Sequence, residues 1–233
     1  MVLNSPGLTE PWGIIMIELI APHHHLEFSE AILDMHRLRC RVFRERLNWA
    51  VEIKDGMEID EFDSLKPVYL LSRNGAELQG CVRLLPTSGP TMMGKVFSHL
   101  LDGKPMVQSP DIWESSRFAL DLAPQTERRD RGLAEATFEL FAGMIEFGIT
   151  HRLTEIVTVT DVRIERILQR AEWPLTRLGS AHTIGETLAV AGSLEISLAA
   201  LYRLRQACHI RSRVLWAPVD FPPELQVLDF DVL

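Results

Sequence analysis

The dipeptide Asn74-Gly75 stands between two β-rich runs, Pro67–Ser72 and Glu77–Leu85. Asn and Gly tolerate the left-handed backbone of a tight hairpin turn, so the two runs should pair antiparallel. Pro86 and Pro90 close the second run, because proline cannot donate to a ladder. The elements around this hairpin follow from periodicity. A strand at Met16–Ile20 precedes a helix marked by Phe28, Ala31, Ile32, Met35, Leu38 and Val42, which should end near Arg46. After the hairpin come a short helix around Lys95–Leu101 and a strand at Ile112–Leu120. A long helix then carries Leu133, Thr137, Leu140, Phe141, Met144, Ile145 and Gly148 on one face. A buried strand, Leu153–Thr160, a helix, Val162–Ala171, and a short extended piece ending near Gly179 follow. The last regular pieces are a strand at Thr187–Ile196 and a helix through Leu198, Leu201 and Leu204. An antiparallel hairpin followed by a helix–strand crossover predicts a mixed central sheet with helices on both faces, a three-layer α-β-α sandwich of the α/β class.

With 233 residues, 46% of them hydrophobic, the chain can bury the core of one large domain. A formal charge of −8 lacks the electrostatic footprint of a nucleic-acid binder. No apolar run approaches the ~18 residues of a membrane span. Residues 1–15 have neither the basic start nor the apolar centre of a secretory signal. Cys40, Cys81 and Cys208 are odd in number and scattered, which is the usage of reduced thiols in a cytoplasmic protein. His23–His25 cannot all face one ion and have no supporting ligand spacing, so no metal site is expected. Residues 1–15 read as an extension, 16–209 as the domain, and 210–233, with three prolines, as a tail lying on the surface.

Residues 48–66 break the rhythm. They lose all periodicity and hold Asp55, Glu58, Asp60, Glu61 and Asp63. Such a length is unusual for a connection inside a compact domain and marks a functional lid or binding segment. Arg39 lies along the first helix's apolar stripe, four residues before Phe43. An unpaired guanidinium would be costly there, and Asp60 and Asp63 are the candidate partners. Arg83, among apolar neighbours in its strand, poses the same question. Trp49 opens the acidic stretch, either as its packing anchor or as one wall of a pocket. Glu114 and Arg117 would face opposite sides of a regular strand, so they share a site only if that strand is bulged. The run Arg129-Asp130-Arg131-Gly132-Leu133-Ala134 precedes the long helix, where free N–H groups and arginines favour an anion. Arg163, Arg166 and Arg170 at helical spacing are a solvated face or a dock for an acidic partner.

Four motifs stand in one order: Arg39-x-x-x-Phe43-x-x-Arg46-Leu47-x-Trp49-x-Val51, Gly56-x-Glu58-x-Asp60-Glu61-x-Asp63, Gly80 to Thr87 and Trp113 to Phe118. Together they resemble the acyl-homoserine-lactone synthases, the autoinducer synthases of bacterial quorum sensing, over about residues 16–209. One departure is Ala171-Glu172-Trp173, where the family usually has glycine after the alanine. The turn at Gly132 resembles the pyrophosphate cradle of Gcn5-related acetyltransferases, and the resemblance implies a fold related to theirs. It also implies two substrates and no cofactor: S-adenosylmethionine, and an acyl thioester on acyl carrier protein or coenzyme A. The amine of the first attacks the thioester; its carboxylate then displaces methylthioadenosine and closes the lactone.

The residue types suit that chemistry. S-adenosylmethionine carries a sulfonium, an ammonium and a carboxylate. Asp60 and Asp63, Arg39 or Arg117, and Phe43 with Trp49 supply acids, an arginine and aromatic faces, the last through cation–π attraction of about 0.5–2 kcal/mol. Arg83 joins the catalytic set. Glu114 is the expected base, with Asp60 second, and backbone N–H groups of Trp113–Phe118 are the expected oxyanion donors. Arg129, Arg131 and Gly132 would take the donor's phosphate. Met92, Met93, Leu140, Met144, Thr158 and Val159 would line the acyl chain, with Thr158 tied to 3-oxo chains. Competing readings are an acyl-coenzyme A N-acetyltransferase, which leaves the acidic stretch unexplained, and a non-catalytic ligand sensor. Chain length, the choice of donor and the oligomeric state are open.

Overall fold

The computed structural model describes residues 16–121, 129–185 and 187–216, and the side chains of 129–134 lie outside that description. Strand β1 (Met16–Ile20) leads to helix α1 (Ser29–Arg39), which a π-helical stretch, Cys40–Arg46, prolongs to the expected end. The acidic stretch then folds into two short paired strands, β2 (Ile53–Lys54) and β3 (Met57–Glu58). Their turn is left-handed at Asp55 (φ 52°) and Gly56 (φ 75°). A 3-10 turn, Glu61–Leu65, follows. The hairpin is β4 (Val68–Asn74) and β5 (Glu77–Pro86). Next come α2 (Met92–Lys95), β6 (Ile112–Leu120), α3 (Arg129–Thr150), β7 (Glu155–Asp161) and α4 (Val162–Arg170). The chain continues through β8 (Thr176–Arg177), β9 (His182–Ile184), β10 (Thr187–Glu195), α5 (Leu198–Cys208) and β11 (Leu215–Trp216).

The main sheet runs β11-β1-β4-β5-β6-β7-β10-β8, with β9 also on β10. All its pairs are antiparallel except β1–β11 and β6–β7. This is the mixed α/β sandwich that the order of patterned segments implied. Alternating side chains serve the two faces: Val82 and Leu84 join the large core with Leu140, Met144 and Leu201, and Cys81 joins a second core with Met35, Leu38 and Phe43. Helices α3, α4 and α5 therefore cover one face, and α1 and α2 the other. Gly143 lets α3 lie close on the sheet; a Cβ there would come within 2.9 Å of Ile17.

Two expectations need correction. The helix foreseen around Lys95–Leu101 is two pieces, α2 and a 3-10 turn at Ser98–Leu101. The sheet does not stop at 209: Leu215 and Trp216 pair parallel with Ile17 and Glu18, so the start of the supposed surface tail is an edge strand. A strand of two residues has too few positions to show a period. Glu172 occupies a left-handed turn (φ 55°), the conformation that glycine adopts without a Cβ clash. The departure from the family's glycine thus falls where a side chain costs most.

Candidate active site

The charged residues singled out in the sequence converge on the α1–α2 face of the sheet. Arg39, in the last turn of α1, is fully buried and bonds Glu58 of β3 at 2.5 Å. Its other nitrogens fork onto Asp63 at 2.8 and 3.0 Å. Arg83 of β5 forks onto Asp60 at 2.5 and 3.0 Å and donates to Asp63 at 2.9 Å. Arg117 of β6 donates to Glu58 at 2.8 Å and lies 2.8 Å from Asp60. Three guanidinium groups thus share three carboxylates, so the cluster is neutral and every buried charge has a partner.

Local structure explains why the acids reach in. Asp60 caps the 3-10 turn by accepting from Phe62 N–H at 2.9 Å, while Asp63 accepts from the Asp60 N–H at 2.9 Å, a reciprocal capping box. The box points both carboxylates at the sheet. Tyr69 of β4 adds a hydroxyl donor to Asp63 at 2.8 Å. Burial works against a charge on Asp63, but the Arg39 guanidinium with its hydrogen bonds, and then Arg83, outweigh it and hold the carboxyl well below the usual range. Burial, then the Asp63 charge, pushes the Tyr69 hydroxyl up, so it stays a donor. Burial likewise pushes the Cys81 thiol up to about 12, leaving it inert.

Strand β6 is bulged where the sequence demanded it. Its register with β5 slips between Cys81↔Ala119 and Arg83↔Ser116, and Arg117 has φ 55°. The bulge turns Ser116 and Arg117 to one face: Ser116 accepts from Arg83 at 3.1 Å, and Arg117 joins the cluster. Glu114 lies on the same face, 1% exposed, and accepts from the N–H groups of Met92 and Met93 at 2.9 and 2.6 Å. Burial raises its proton affinity, against those two hydrogen bonds and the nearby Arg83. Met92 in turn offers its sulfur to Arg83 at 3.1 Å and to Arg117 at 3.3 Å.

An aromatic wall borders the charges. The π-helical stretch ends so that Trp49 N–H bonds the Phe43 carbonyl, and the two rings stack 5.1 Å apart at 18°. The Arg117 guanidinium sits 5.5 Å from the Phe43 ring. Trp49 remains 39% exposed, an apolar face turned to solvent.

The structure therefore gathers Arg39, Phe43, Trp49, Asp60, Asp63, Arg83, Glu114 and Arg117 into one site. It separates the residues expected along the acyl chain. Leu140 and Met144 lie in the core beneath α3, whereas Met93 packs with Val157 and Val159 on the opposite face. Thr158, between those two valines, faces the α3 side and donates to the Ser115 carbonyl at 3.1 Å. These residues cannot line one wall, because successive strand residues face opposite ways. Arg129, Arg131 and Gly132 fall in the first described turn of α3, with side chains outside the described set. Arg163 and Arg166 are exposed on α4. An open cavity of about 160 Å³ lies elsewhere, among Leu101, Met106, Val157 and Leu178, away from the cluster. Among the described residues no group of His, Cys, Asp or Glu is placed to hold a metal, and no helix is long and apolar enough to cross a membrane. Glu58, Tyr69 and Ser116 have side-chain roles in the cluster that the sequence reading did not assign, and Met92, expected along the acyl chain, meets the arginines instead.

A family model described as autoinducer synthase matches residues 23–204, a span that contains the whole cluster. The chain belongs to the autoinducer synthase family. Among its relatives, the acyl-homoserine-lactone synthase of Agrobacterium fabrum is 45% identical over 176 residues, 75% of this chain and 83% of that protein. The probable acyl-homoserine-lactone synthase of Sinorhizobium fredii is 43% identical over 202 residues, 86% of this chain and 97% of that protein. The crystal structure of the synthase LasI is similar with a TM-score of 0.75 at 33% identity, covering 84% of this chain and 96% of that one. The coenzyme A-dependent synthase BjaI, solved with S-adenosylmethionine and isopentyl-coenzyme A, has a TM-score of 0.78 at 26% identity, covering 89% and 94%. The protein is an acyltransferase of the quorum-sensing autoinducer type.

Proposed function

We propose that this autoinducer synthase makes an N-acyl-L-homoserine lactone from S-adenosylmethionine and an acyl thioester, with acyl carrier protein or coenzyme A as carrier. What carries the reading is the neutral lattice of arginines and carboxylates bordered by stacked Phe43 and Trp49. A zwitterionic sulfonium needs both signs of charge and an aromatic face within one pocket. Asp60, the most exposed of the three carboxylates, draws the ammonium. Arg117, the most exposed of the three arginines, draws the carboxylate. Phe43 and Trp49 receive the sulfonium end.

In the first step the neutral amine attacks the thioester carbonyl. Its proton goes to a carboxylate and the thiolate leaves, so an amide replaces the thioester. Glu114 is the base, directly or through one water, since burial strengthens its hold on a proton. Backbone N–H groups of the bulged β6 stabilise the oxyanion. In the second step the methionyl carboxylate attacks the carbon bonded to sulfur. That C–S bond breaks with its electrons going to sulfur, which releases methylthioadenosine and the lactone. The donor's phosphate lies at Arg129, Arg131 and Gly132 at the start of α3.

Purified protein supplied with S-adenosylmethionine and a panel of acyl-coenzyme A and acyl-carrier-protein donors should release methylthioadenosine and lactone in equal amounts. Transfer of the acyl group to another amine with release of free coenzyme A, and without methylthioadenosine, would replace this reading with the N-acetyltransferase one. Glu114→Gln should lower kcat at least ~100-fold, the usual worth of a positioned base, with the KM for S-adenosylmethionine little changed. Turnover within a few-fold of the parent would remove Glu114 from that role.

A further inference from the structure

Helix α2 is a single turn, and the N–H groups of its first three residues have no carbonyl four residues back within the turn. Each finds another acceptor. The N–H groups of Met92 and Met93 donate to the two carboxylate oxygens of Glu114, at 2.9 and 2.6 Å. The third, from Gly94, donates to the hydroxyl oxygen of Thr91 at 3.2 Å. Thr91 is the N-cap of the turn, extended at φ −131° and ψ 159°, and its own carbonyl accepts from the Lys95 N–H at 3.0 Å. Gly94 gives that hydroxyl its room, since a Cβ there would stand 3.2 Å from it.

Thr91 is 3% exposed, so its side chain is shielded from solvent. A hydroxyl that has accepted one bond still has its hydrogen to donate. The Glu114 carboxylate beside it takes that bond. Burial raises the proton affinity of Glu114, and the Met93 and Met92 N–H groups, then Arg83, then the Thr91 hydroxyl oppose the rise. Arg83 of β5 is the charged group that faces the carboxylate; the remaining opposing groups all belong to the start of α2.

We infer that Thr91 is a positioning residue for the reaction: its hydroxyl fills one acceptor site of Glu114 and leaves a single one for the proton of the attacking amine. The inference rests on the reading of Glu114 as the base. An ionised carboxylate has about four acceptor sites. Two N–H groups and one O–H fill three of them, so the fourth is the one open to the substrate's proton or to a water that relays it. Without the hydroxyl two sites compete, and the place where the proton lands is no longer unique. The same turn carries Met92, whose sulfur meets Arg83 and Arg117, so the cap at Thr91 also fixes the base relative to the charged cluster.

The test is the kcat–pH profile of Thr91 variants. Thr91→Val removes the hydroxyl at nearly constant volume. It should lower kcat at least ~10-fold, the worth of a hydrogen bond to a charged group. It should also move the acid limb of kcat to higher pH, because a donor that favoured the ionised carboxylate is gone. The KM for S-adenosylmethionine should stay near the parent's. Thr91→Ser, which keeps the hydroxyl, should restore both kcat and the limb. Should the valine protein fail to fold, Thr91→Gly, which an N-cap tolerates, decides by the same limb. A threonine that merely caps α2 would lower stability in Thr91→Val and leave the acid limb where it was, and that result overturns the inference. Full turnover in Glu114→Gln overturns the base reading and this inference together. An inactive Glu114→Gln beside a Thr91→Val with the parent's profile overturns the inference alone.

Discussion

The two faces of the sheet are built on different principles. Beneath α3 the core is held by shape, with Leu140, Met144, Ile145, Phe147 and Trp173 filling space between helix and strands. Beneath α1 a comparable depth is filled by six ionised groups whose pairing must be complete. A shape-held core tolerates swaps that conserve volume, whereas a pairing-held one does not, because each removed partner strands a buried charge. The candidate active site sits on the second kind, where a zwitterionic ligand's charges would find partners already aimed.

The comparison breaks first at Arg39. Arg39→Met should cost about 3–5 kcal/mol, because Glu58 and Asp63 both lose a buried partner; denaturant unfolding measures it. On the other face Leu140→Ala should cost a similar ~2–5 kcal/mol yet leave kcat per folded molecule near the parent's. If Leu140→Ala abolished turnover in folded protein, the two faces would not be separable. Glu146→Gln should cost about 1–3 kcal/mol. Its carboxylate accepts from Leu215 N–H at 2.8 Å and from Arg205 at 2.7 Å, so the loss should show as faster amide exchange in β11. Trp49→Ala should weaken S-adenosylmethionine by about 0.5–2 kcal/mol with little change in stability, read by calorimetry.

Acid sharpens the same contrast. Asp63 has a lowered pKa, so the stability it contributes is present above the ordinary aspartate value of about 3.9 and is lost as pH falls through its lower folded value. The stability gap between parent and Asp63→Asn should therefore narrow on acidification, as chemical unfolding across pH would show. Glu114 has a raised pKa and the opposite sign: what it contributes is present below the ordinary glutamate value and is lost as pH rises through its folded value. The acid limb of kcat should accordingly sit above the range of an ordinary glutamate.

Long, strongly periodic elements were readable in the amino-acid order, and so was the need for Arg39 and Arg83 to find acids, since apolar neighbours leave a guanidinium no other outlet. The bulge in β6 was readable as a condition on Glu114 and Arg117. Tyr69 was not. It stands opposite Arg83 only because Gln79 is an extra residue in β5, shifting the register from Arg73↔Leu78 to Ser72↔Gly80; an unbroken ladder would set Tyr69 against Val82. Glu58 hid on a two-residue strand within an aperiodic stretch. Met92 was expected along the acyl chain, because a thioether accepting from two guanidinium groups looks, in one-letter form, like another apolar residue. The acyl lining was misread because neighbouring residues of one strand were assigned to a single wall.

Strand β1 ends up enclosed between β4 and β11. During synthesis, Met16–Ile20 leaves the ribosome before the partner for its outer edge, Leu215–Trp216, which emerges about two hundred residues later. The nascent chain thus carries an unsatisfied strand edge until Leu215 and Trp216 emerge to cover it.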